Sequence, residues 1–195
     1  MTDRLEQALV YAARLHRGQR RKGVGVPYLS HLLGVTSLVI EHGGNEEEAI
    51  AALLHDAIED IGGEKVRPEI RERFGERVLE IVEGCTDTDT IPKPPWKERK
   101  LAYIERLPHA TRSVRLVCAA DKLHNARCLL ADYRRVGERL WELFRGGRGG
   151  TLWYYRAVVD ALRQAETTPL VEELDRVVTE LEQAAERARG GAAPS

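Results

Sequence analysis

The sequence predicts an all-α protein that folds as a single irregular bundle of about eight to ten helices. Apolar residues recur three and four positions apart along most of the 195 residues, which is the period of an amphipathic helix. Segments rich in glycine or proline interrupt this pattern at intervals of helical length. No segment shows the strict alternation that is typical of a half-buried strand. We expect one domain over residues 1–188 and a disordered tail over residues 189–195.

The first third of the chain predicts three helices separated by glycine-rich segments. Their expected ranges are 2–17, 28–41 and 45–61. The segment 18–27 contains three glycines, a proline and three adjacent cations, so we expect a loop there. The third helix has a favourable start, because Asn45 is a good N-cap residue and three glutamates follow it.

The remaining two thirds predict further helices around one long irregular segment. The expected helical ranges are 65–84 (two shorter helices), 96–107, 111–131, 134–145, 151–165 and 169–188. Residues 86–95 are dense in Thr, Asp and Pro and are not expected to be helical, while 145–150 reads as a flexible glycine-rich break. Apolar residues of the last helix could pack on the core or form a homodimer interface. They are Leu170, Val171, Leu174 and Val178.

Composition excludes several classes of function. Hydrophobic residues make up 43% and charged residues 31% of the chain, which is an ordinary globular balance. The formal net charge of −1 provides no basic field for nucleic acid. The sequence contains no run of about 18 apolar residues, the length that spans a membrane. The charged N-terminus does not resemble a secretory signal. We therefore expect a cytoplasmic protein whose three cysteines are reduced core residues.

A cluster of polar residues at the end of a buried helix indicates chemistry. The segment reads LLHDAIED, and on a continuous helix His55 would share a face with Glu59, and Asp56 with Asp60. An apolar run directly precedes these residues, so their charges would be costly without compensation. A divalent cation is the simplest compensation.

Two more residues are candidates to complete a metal site. His31 lies early in the second predicted helix, and Asp121 follows an apolar stretch that is typical of a buried helix. Two imidazoles and two carboxylates form a mixed nitrogen and oxygen set, which favours Mn²⁺, Fe²⁺ or a similar ion over a thiolate zinc site. Lys122 is adjacent to Asp121 and is a candidate phosphate contact.

Three motifs together resemble the HD phosphohydrolase superfamily, and in particular the hydrolase domain of the RelA/SpoT family. They read RKGVGVPYLSH, LLHDAIEDIG and AADKLHNARCL, and the resemblance extends over about residues 5–165. The small alarmone hydrolases, which carry this domain alone, are the most similar in architecture. The resemblance implies an HD-domain fold and hydrolysis of the 3′-pyrophosphate of a purine nucleotide alarmone, with release of pyrophosphate.

The resemblance also implies roles for individual residues. The metal ligands, normally for Mn²⁺, would be His31, His55, Asp56 and Asp121. Glu59 and Asp60 would orient or activate the attacking water. The nucleotide contacts would be Arg20 or Arg21, Lys22, Asn125 and Tyr154, with Tyr155 as the alternative aromatic residue. The residue pattern itself, and not the resemblance, predicts a structural or supporting role for His124 and a packing anchor at Trp96.

Two departures from the family pattern leave the base preference open. One extra residue separates the Arg-Lys pair from His31, and Cys128 stands where many relatives have a threonine. The same chemistry on adenosine alarmones is therefore an alternative. Others are a phosphatase of a different nucleotide, and a nucleotide-binding sensor without turnover. The presence of Glu59 and Asp60 argues against the sensor.

Overall fold

The computed structural model describes residues 1–22 and 25–190, which form ten α-helices and two 3-10 helices. The α-helices are α1 (Asp3–Leu15), α2 (Leu29–Glu41), α3 (Glu46–Leu54), α4 (Ala57–Ile61), α5 (Gly63–Phe74), α6 (Glu76–Cys85), α7 (Trp96–Arg106), α8 (Arg112–Val136), α9 (Gly147–Ala165) and α10 (Pro169–Gly190). The 3-10 helices are Leu107–His109 and Gly137–Leu143. Apart from one isolated bridge between Arg20 and Pro27, no strand pairing occurs within these ranges. The all-α prediction is confirmed.

Helices α3 and α8 form the centre of the bundle. Every residue of α3 from Ala49 to Leu54 is buried, and α3 packs against α1, α2, α6 and α8. The longest helix in the described ranges, α8, has 25 residues and also contacts α2, α9 and α10. The start of α3 is fixed by a capping box, in which the Asn45 side chain accepts from Glu48 N and the Glu48 carboxylate accepts from Asn45 N. These packed helices position the candidate site residues.

The third predicted helix is in fact interrupted. Helix α3 ends at Leu54, His55 and Asp56 form a turn, and α4 begins at Ala57. Asp56 has φ −97° and ψ −3°, a sparsely populated backbone conformation that is frequent at active sites. The expectation of a continuous helical face was therefore wrong, although Asp60 N still donates to Asp56 O at 2.9 Å.

Two other boundaries differ from the sequence prediction. Helix α8 continues to Val136 and ends at Gly137, whose φ of 64° favours glycine, and a 3-10 helix replaces most of the predicted helix 134–145. Helix α9 begins at Gly147, inside the predicted flexible break. Glycine is required nearby for packing, because a Cβ on Gly146 would lie 2.8 Å from the ring of Trp96.

The apolar face of α10 is covered within the chain. Its four residues that could have formed a dimer interface are all buried in the core, where α10 packs on α8 and α9. Helix α10 extends through Gly190, and residues 191–195 of the predicted tail lie outside the described residues. In the part of the chain that the structure describes, no helix is long and apolar enough to cross a membrane. All three cysteines are free, with Cys85 Sγ and Cys118 Sγ 3.7 Å apart.

Candidate metal centre and active-site cleft

The four predicted metal ligands meet at one place in the bundle. His31 lies in the first turn of α2, His55 and Asp56 form the turn after α3, and Asp121 lies near the middle of α8. His31 Nε2 is 3.2 Å from Asp121 Oδ1 and 3.7 Å from Asp56 Oδ2. His55 Nε2 is 3.0 Å from Asp56 Oδ2 and 3.7 Å from Asp121 Oδ1. Residues up to 90 positions apart in sequence thus surround a space that could hold one metal ion.

This spacing suits a divalent metal ion. Metal–nitrogen and metal–oxygen bonds of about 2.0–2.2 Å place neighbouring ligand atoms roughly 3 to 4 Å apart, as they are here. His55 Nδ1 lies 2.8 Å from Ala52 O, which requires the proton on Nδ1 and leaves the lone pair of Nε2 directed into the cluster. Among the described residues, this buried Nε2 has no hydrogen-bond partner. A cation would satisfy it.

His124 supports His31 from behind. The Nδ1 atoms of the two rings are 3.0 Å apart, so a proton on His31 Nδ1 can be donated to His124 while His31 Nε2 faces the cluster. Gly34, on α2, makes this approach possible, because a Cβ there would lie 2.2 Å from the His124 ring. Burial, His31 and Arg21 lower the pKa of His124 to about 4, which keeps the ring neutral. The predicted supporting role of His124 fits this geometry.

Tyr28 is a contact of the cluster that the sequence analysis did not identify. Its hydroxyl donates to Asp56 Oδ2, and its ring stacks on His16 at a centroid distance of 5.3 Å. Burial and the charge of Asp56 raise the pKa of Tyr28, so the hydroxyl remains a donor. The sequence could have indicated this contact. Tyr28 precedes His31 by three positions, and residues three apart lie on the same face at the start of a helix.

Lys122 balances the negative charge of the cluster. Its ammonium donates to Asp121 Oδ2 and lies over the rings of Tyr103 and Tyr154, 5.3 and 5.8 Å from their centroids. Burial opposes its charge, but Asp121 raises the pKa of Lys122 well above its ordinary value. Burial likewise opposes ionisation of Asp121, yet the charge of Lys122 holds the pKa of Asp121 well below its usual range. The side chain of Lys122 is only 14% exposed.

The predicted catalytic pair lies beside the cluster in two different environments. Glu59 accepts from Lys93 Nζ at 2.9 Å, and its side chain is 25% exposed. Asp60 accepts from Gln19 Nε2 at 2.7 Å. Burial and the charge of Asp56 raise the pKa of Asp60, so this carboxylate binds a proton more readily than an ordinary one. The two residues therefore offer different chemistry to a bound substrate.

Gln19 connects Asp60 to a buried histidine. Because Gln19 Nε2 donates to Asp60, its Oε1 is the acceptor for His16 Nδ1, 2.6 Å away. His16 is 4% exposed and stacks on Tyr28. The sequence analysis gave neither Gln19 nor His16 a place in the site, since nothing local in the sequence shows that residue 19 meets residue 60. His16 thus orients Gln19, and Gln19 holds the Asp60 carboxylate in position.

Residues 19–22 and 25–28 of the basic loop pair through backbone hydrogen bonds as the two arms of a hairpin, among them Arg21 N to Val26 O at 2.9 Å. Residues 23 and 24 lie outside the described residues. Arg21 Nη2 donates to Asn125 Oδ1 at 2.8 Å, and Asn125 in turn donates to Asp121 Oδ1. Arg20 instead donates to Gly25 O at 2.6 Å, within the hairpin. Of the two arginines that sequence left as alternatives, Arg21 is the one joined to α8.

Two connected clefts open beside the metal cluster. The lysine cleft has a volume of about 580 Å³ and is lined by Glu59, Asp60 and six cations, namely Lys22, Lys93, Arg99, Lys100, Lys122 and Arg145. The arginine cleft, of about 290 Å³, is lined by Arg20, Arg21, Asn125, Cys128 and Asp132. Six residues line both clefts, namely Lys22, Tyr28, Asp60, Asn125, Phe144 and Tyr155. Together the clefts can hold a molecule that is polyanionic at one end and less charged at the other.

The irregular segment before α7 supplies one wall of the lysine cleft. Asp87 accepts from Arg99 and from Lys100 Nζ, the latter at 2.9 Å, and its side chain is 6% exposed. Lys100 lies over the ring of Tyr154 at 4.8 Å. Trp96 packs against the same ring with a centroid distance of 6.3 Å, in the anchoring position predicted for it. Tyr154 and Tyr155 are both buried; Tyr154 lines the lysine cleft, whereas Tyr155 lines both clefts.

Comparisons with known proteins agree with this geometry. The HD-domain profile matches residues 8–152. Guanosine-3′,5′-bis(diphosphate) 3′-pyrophosphohydrolase MESH1 of Homo sapiens is 41% identical over 128 residues, which are 64% of this chain and 69% of that protein. Guanosine-3′,5′-bis(diphosphate) 3′-pyrophosphohydrolase of Aquifex aeolicus is 38% identical over 130 residues, covering 65% of this chain and 18% of that longer protein.

A solved structure leads to the same group of proteins. It is described as a metazoan ortholog of SpoT that hydrolyses ppGpp, and it superposes with a TM-score of 0.77 at 27% identity, covering 92% of this chain and 96% of that one. The profile match extends over most of the chain, as the resemblance implied. The chain belongs to the HD-domain family, within the group that contains the MESH1 and SpoT-type hydrolases.

Proposed function

We propose that this protein hydrolyses guanosine-3′,5′-bis(diphosphate) at its 3′-pyrophosphate and releases pyrophosphate, with Mn²⁺ as its metal. The observation that carries the proposal is the cluster of two imidazoles and two carboxylates beside the cation-lined lysine cleft. Tyr28 and Lys122, which donate to Asp56 and Asp121 of the cluster, both line this cleft. Its relatives from Homo sapiens and Aquifex aeolicus bear the name of this reaction. A substrate with two diphosphate groups matches the excess of cations in the cleft.

The residues that would hold the metal are His31, His55, Asp56 and Asp121. Their mixed nitrogen and oxygen donors suit Mn²⁺ better than a thiophilic ion, and the unpartnered His55 Nε2 supports a ligand role. When bound, a divalent ion supplies charge stabilisation at a phosphate oxygen and lowers the pKa of a water molecule. Tyr28 and His124 keep two of the ligands in orientation by hydrogen bonds to Asp56 and His31.

The remaining steps are carried by side chains of the cleft. Attack of water on the phosphorus bonded to the 3′ oxygen breaks that P–O bond, leaves a 3′-hydroxyl and releases pyrophosphate. Asp60 accepts the proton of the water, because burial raises its pKa, and the 3′ oxygen takes up a proton from solvent as the P–O bond breaks. Lys122 and Lys100 neutralise charge on the departing pyrophosphate, and Glu59 fixes Lys93 at the rim of the cleft.

The test is a product analysis on purified protein. The chain is incubated with the guanosine or the adenosine bis(diphosphate) in the presence of Mn²⁺, Mg²⁺ or Zn²⁺, and pyrophosphate and orthophosphate are measured in parallel. Asp56→Asn serves as the site variant, and Asp160→Asn, at an exposed position on α9, serves as the matched control. We expect pyrophosphate from the guanosine substrate with Mn²⁺, lost in Asp56→Asn and retained in Asp160→Asn.

Other outcomes identify the alternatives. Faster release of pyrophosphate from the adenosine substrate would transfer the proposal to adenosine alarmones. Release of orthophosphate alone would indicate a phosphatase of another nucleotide. Nucleotide binding without any product would indicate a sensor, and would contradict the role of Asp60 as a base.

A further inference from the structure

One face of α8 connects the metal cluster to the far end of the arginine cleft. Asp121, Asn125, Cys128 and Asp132 follow one another at spacings of four, three and four residues, which places them on a single face of the helix. Eleven residues at 1.5 Å each separate the first and last of them by about 16 Å along the axis. The last two line the arginine cleft. A nucleotide whose 3′-phosphate lies at the metal would extend along this face, with its base toward Asp132.

Asp132 is largely buried and only weakly engaged by the protein. Its side chain is 17% exposed, and Oδ1 accepts from Arg135 Nη2 at 3.1 Å. Arg135 is 60% exposed, so this pair contributes little to stability. Within the described ranges, Oδ2 has no hydrogen-bond donor. A carboxylate in a cleft with a free oxygen is available to a ligand.

Other residues of the cleft define what this ligand presents. Arg21, held by Asn125, has a planar guanidinium that can stack on a purine ring. Asp132 offers two acceptors and no donor. The Watson–Crick edge of guanine carries two adjacent donors, the N1–H and the 2-amino group, which match the two carboxylate oxygens. The corresponding edge of adenine carries a donor beside an acceptor, and its N1 would face a carboxylate oxygen.

We infer that Asp132 selects guanine over adenine by accepting hydrogen bonds from N1–H and the 2-amino group at the far end of the arginine cleft. The inference rests on the proposed function for the direction in which the nucleotide lies. It explains how a base preference can arise although Cys128 has no threonine hydroxyl to offer. The selectivity would belong to a residue one helical turn farther along α8.

The test exchanges the pattern of donors and acceptors at one position. Asp132→Asn keeps the shape but places an amide donor beside a carbonyl acceptor, which is the complement of adenine. Arg135→Gln removes the ion pair and keeps the carboxylate, so it is the matched control. For the wild type and both variants, binding of guanosine and adenosine 5′-diphosphate is measured by calorimetry, and kcat/KM is measured for both alarmones.

In Asp132→Asn we expect the preference for guanosine over adenosine, in binding affinity and in kcat/KM, to fall about ten- to a hundredfold, with adenosine binding increased. In Arg135→Gln both ratios should be unchanged. An unchanged ratio in Asp132→Asn would overturn the inference while leaving the hydrolase proposal intact. A changed binding ratio without release of pyrophosphate would support Asp132 and sink the proposed function instead. Absence of binding of either diphosphate would overturn the inference, whereas the release of pyrophosphate decides the hydrolase proposal.

Discussion

Replacement of Tyr28 by phenylalanine should weaken metal binding about 10- to 100-fold. The hydroxyl donates to Asp56 Oδ2, the same oxygen that lies 3.0 Å from His55 Nε2 and 3.7 Å from His31 Nε2. A hydrogen bond to a charged group contributes about 1.5–3 kcal/mol, and tenfold in affinity corresponds to about 1.4 kcal/mol. The resulting range agrees with the usual effect of losing a hydrogen bond to a metal ligand. Phenylalanine retains the ring that stacks on His16.

The assay is calorimetric titration of Mn²⁺ into metal-depleted protein, with the Mn²⁺ dependence of pyrophosphate release measured alongside it. Tyr133→Phe is the matched control, because Tyr133 is also buried and its hydroxyl donates to the carboxylate of Glu138 at 2.5 Å, outside the site. This control should affect stability and leave Mn²⁺ affinity unchanged. Equal Mn²⁺ affinity in Tyr28→Phe and the wild type would refute the reasoning.

Three further predictions concern charged and titratable groups. Asp60→Asn should lower kcat for pyrophosphate release about 100- to 10,000-fold without weakening Mn²⁺ binding in calorimetry; a kcat near that of the wild type would exclude Asp60 as the base. Lys122→Met should lower the free energy of unfolding by about 3–5 kcal/mol in urea without added metal, because it leaves Asp121 without its buried cation; an unchanged urea midpoint would contradict this. Burial lowers the pKa of His124 from about 6.5 in the unfolded state to about 4 in the folded chain. Between these values the unfolded state binds more protons, so the free energy of unfolding should fall as the pH is lowered from 6.5 to 4. Urea unfolding across this range should show a smaller loss in His124→Gln, and an equal loss in both proteins would argue against the shift.

The metal cluster could be predicted from the sequence because each ligand is marked by the residues next to it. The His55-Asp56 pair follows an apolar run, and Asp121 follows another, so each was already placed at the surface of a buried helix. His31 was identified mainly through the motif around it. The structure brings all four side chains to within 3.7 Å of a neighbour in the cluster, which is what their proposed role requires.

The turn at His55 and Asp56 could not be foreseen from residue preferences. The segment AIEDI after the turn contains ordinary helix formers, so the sequence favours one uninterrupted helix there. The interruption accompanies contacts made elsewhere in the chain, because Tyr28 and His31 hold Asp56 from another helix. Propensity acts over a few residues, and these contacts join residues 28 positions apart.

The supporting residues were missed for the same reason. Gln19 meets Asp60 across 41 positions, and Lys93 meets Glu59 across 34. Glutamine in a loop and lysine beside prolines are both common surface residues, so neither type suggests a site by itself. Only the packing of the hairpin and the irregular segment against α4 gives them a role.

Helix α8 also fixes the distance between the two ends of the proposed nucleotide site. Because Asp121 and Asp132 belong to one continuous helix of 25 residues, the separation between the reacting phosphate and the far end of the cleft does not depend on the conformation of any loop. Insertion of a single residue between them would lengthen this distance by about 1.5 Å and turn Asp132 by about 100° away from the cleft. A nucleotide whose scissile bond lies at a different distance from its base would contact either the metal cluster or Asp132, but not both. Discrimination by size would then be set by the central helix of the bundle and not by the loops that border the clefts.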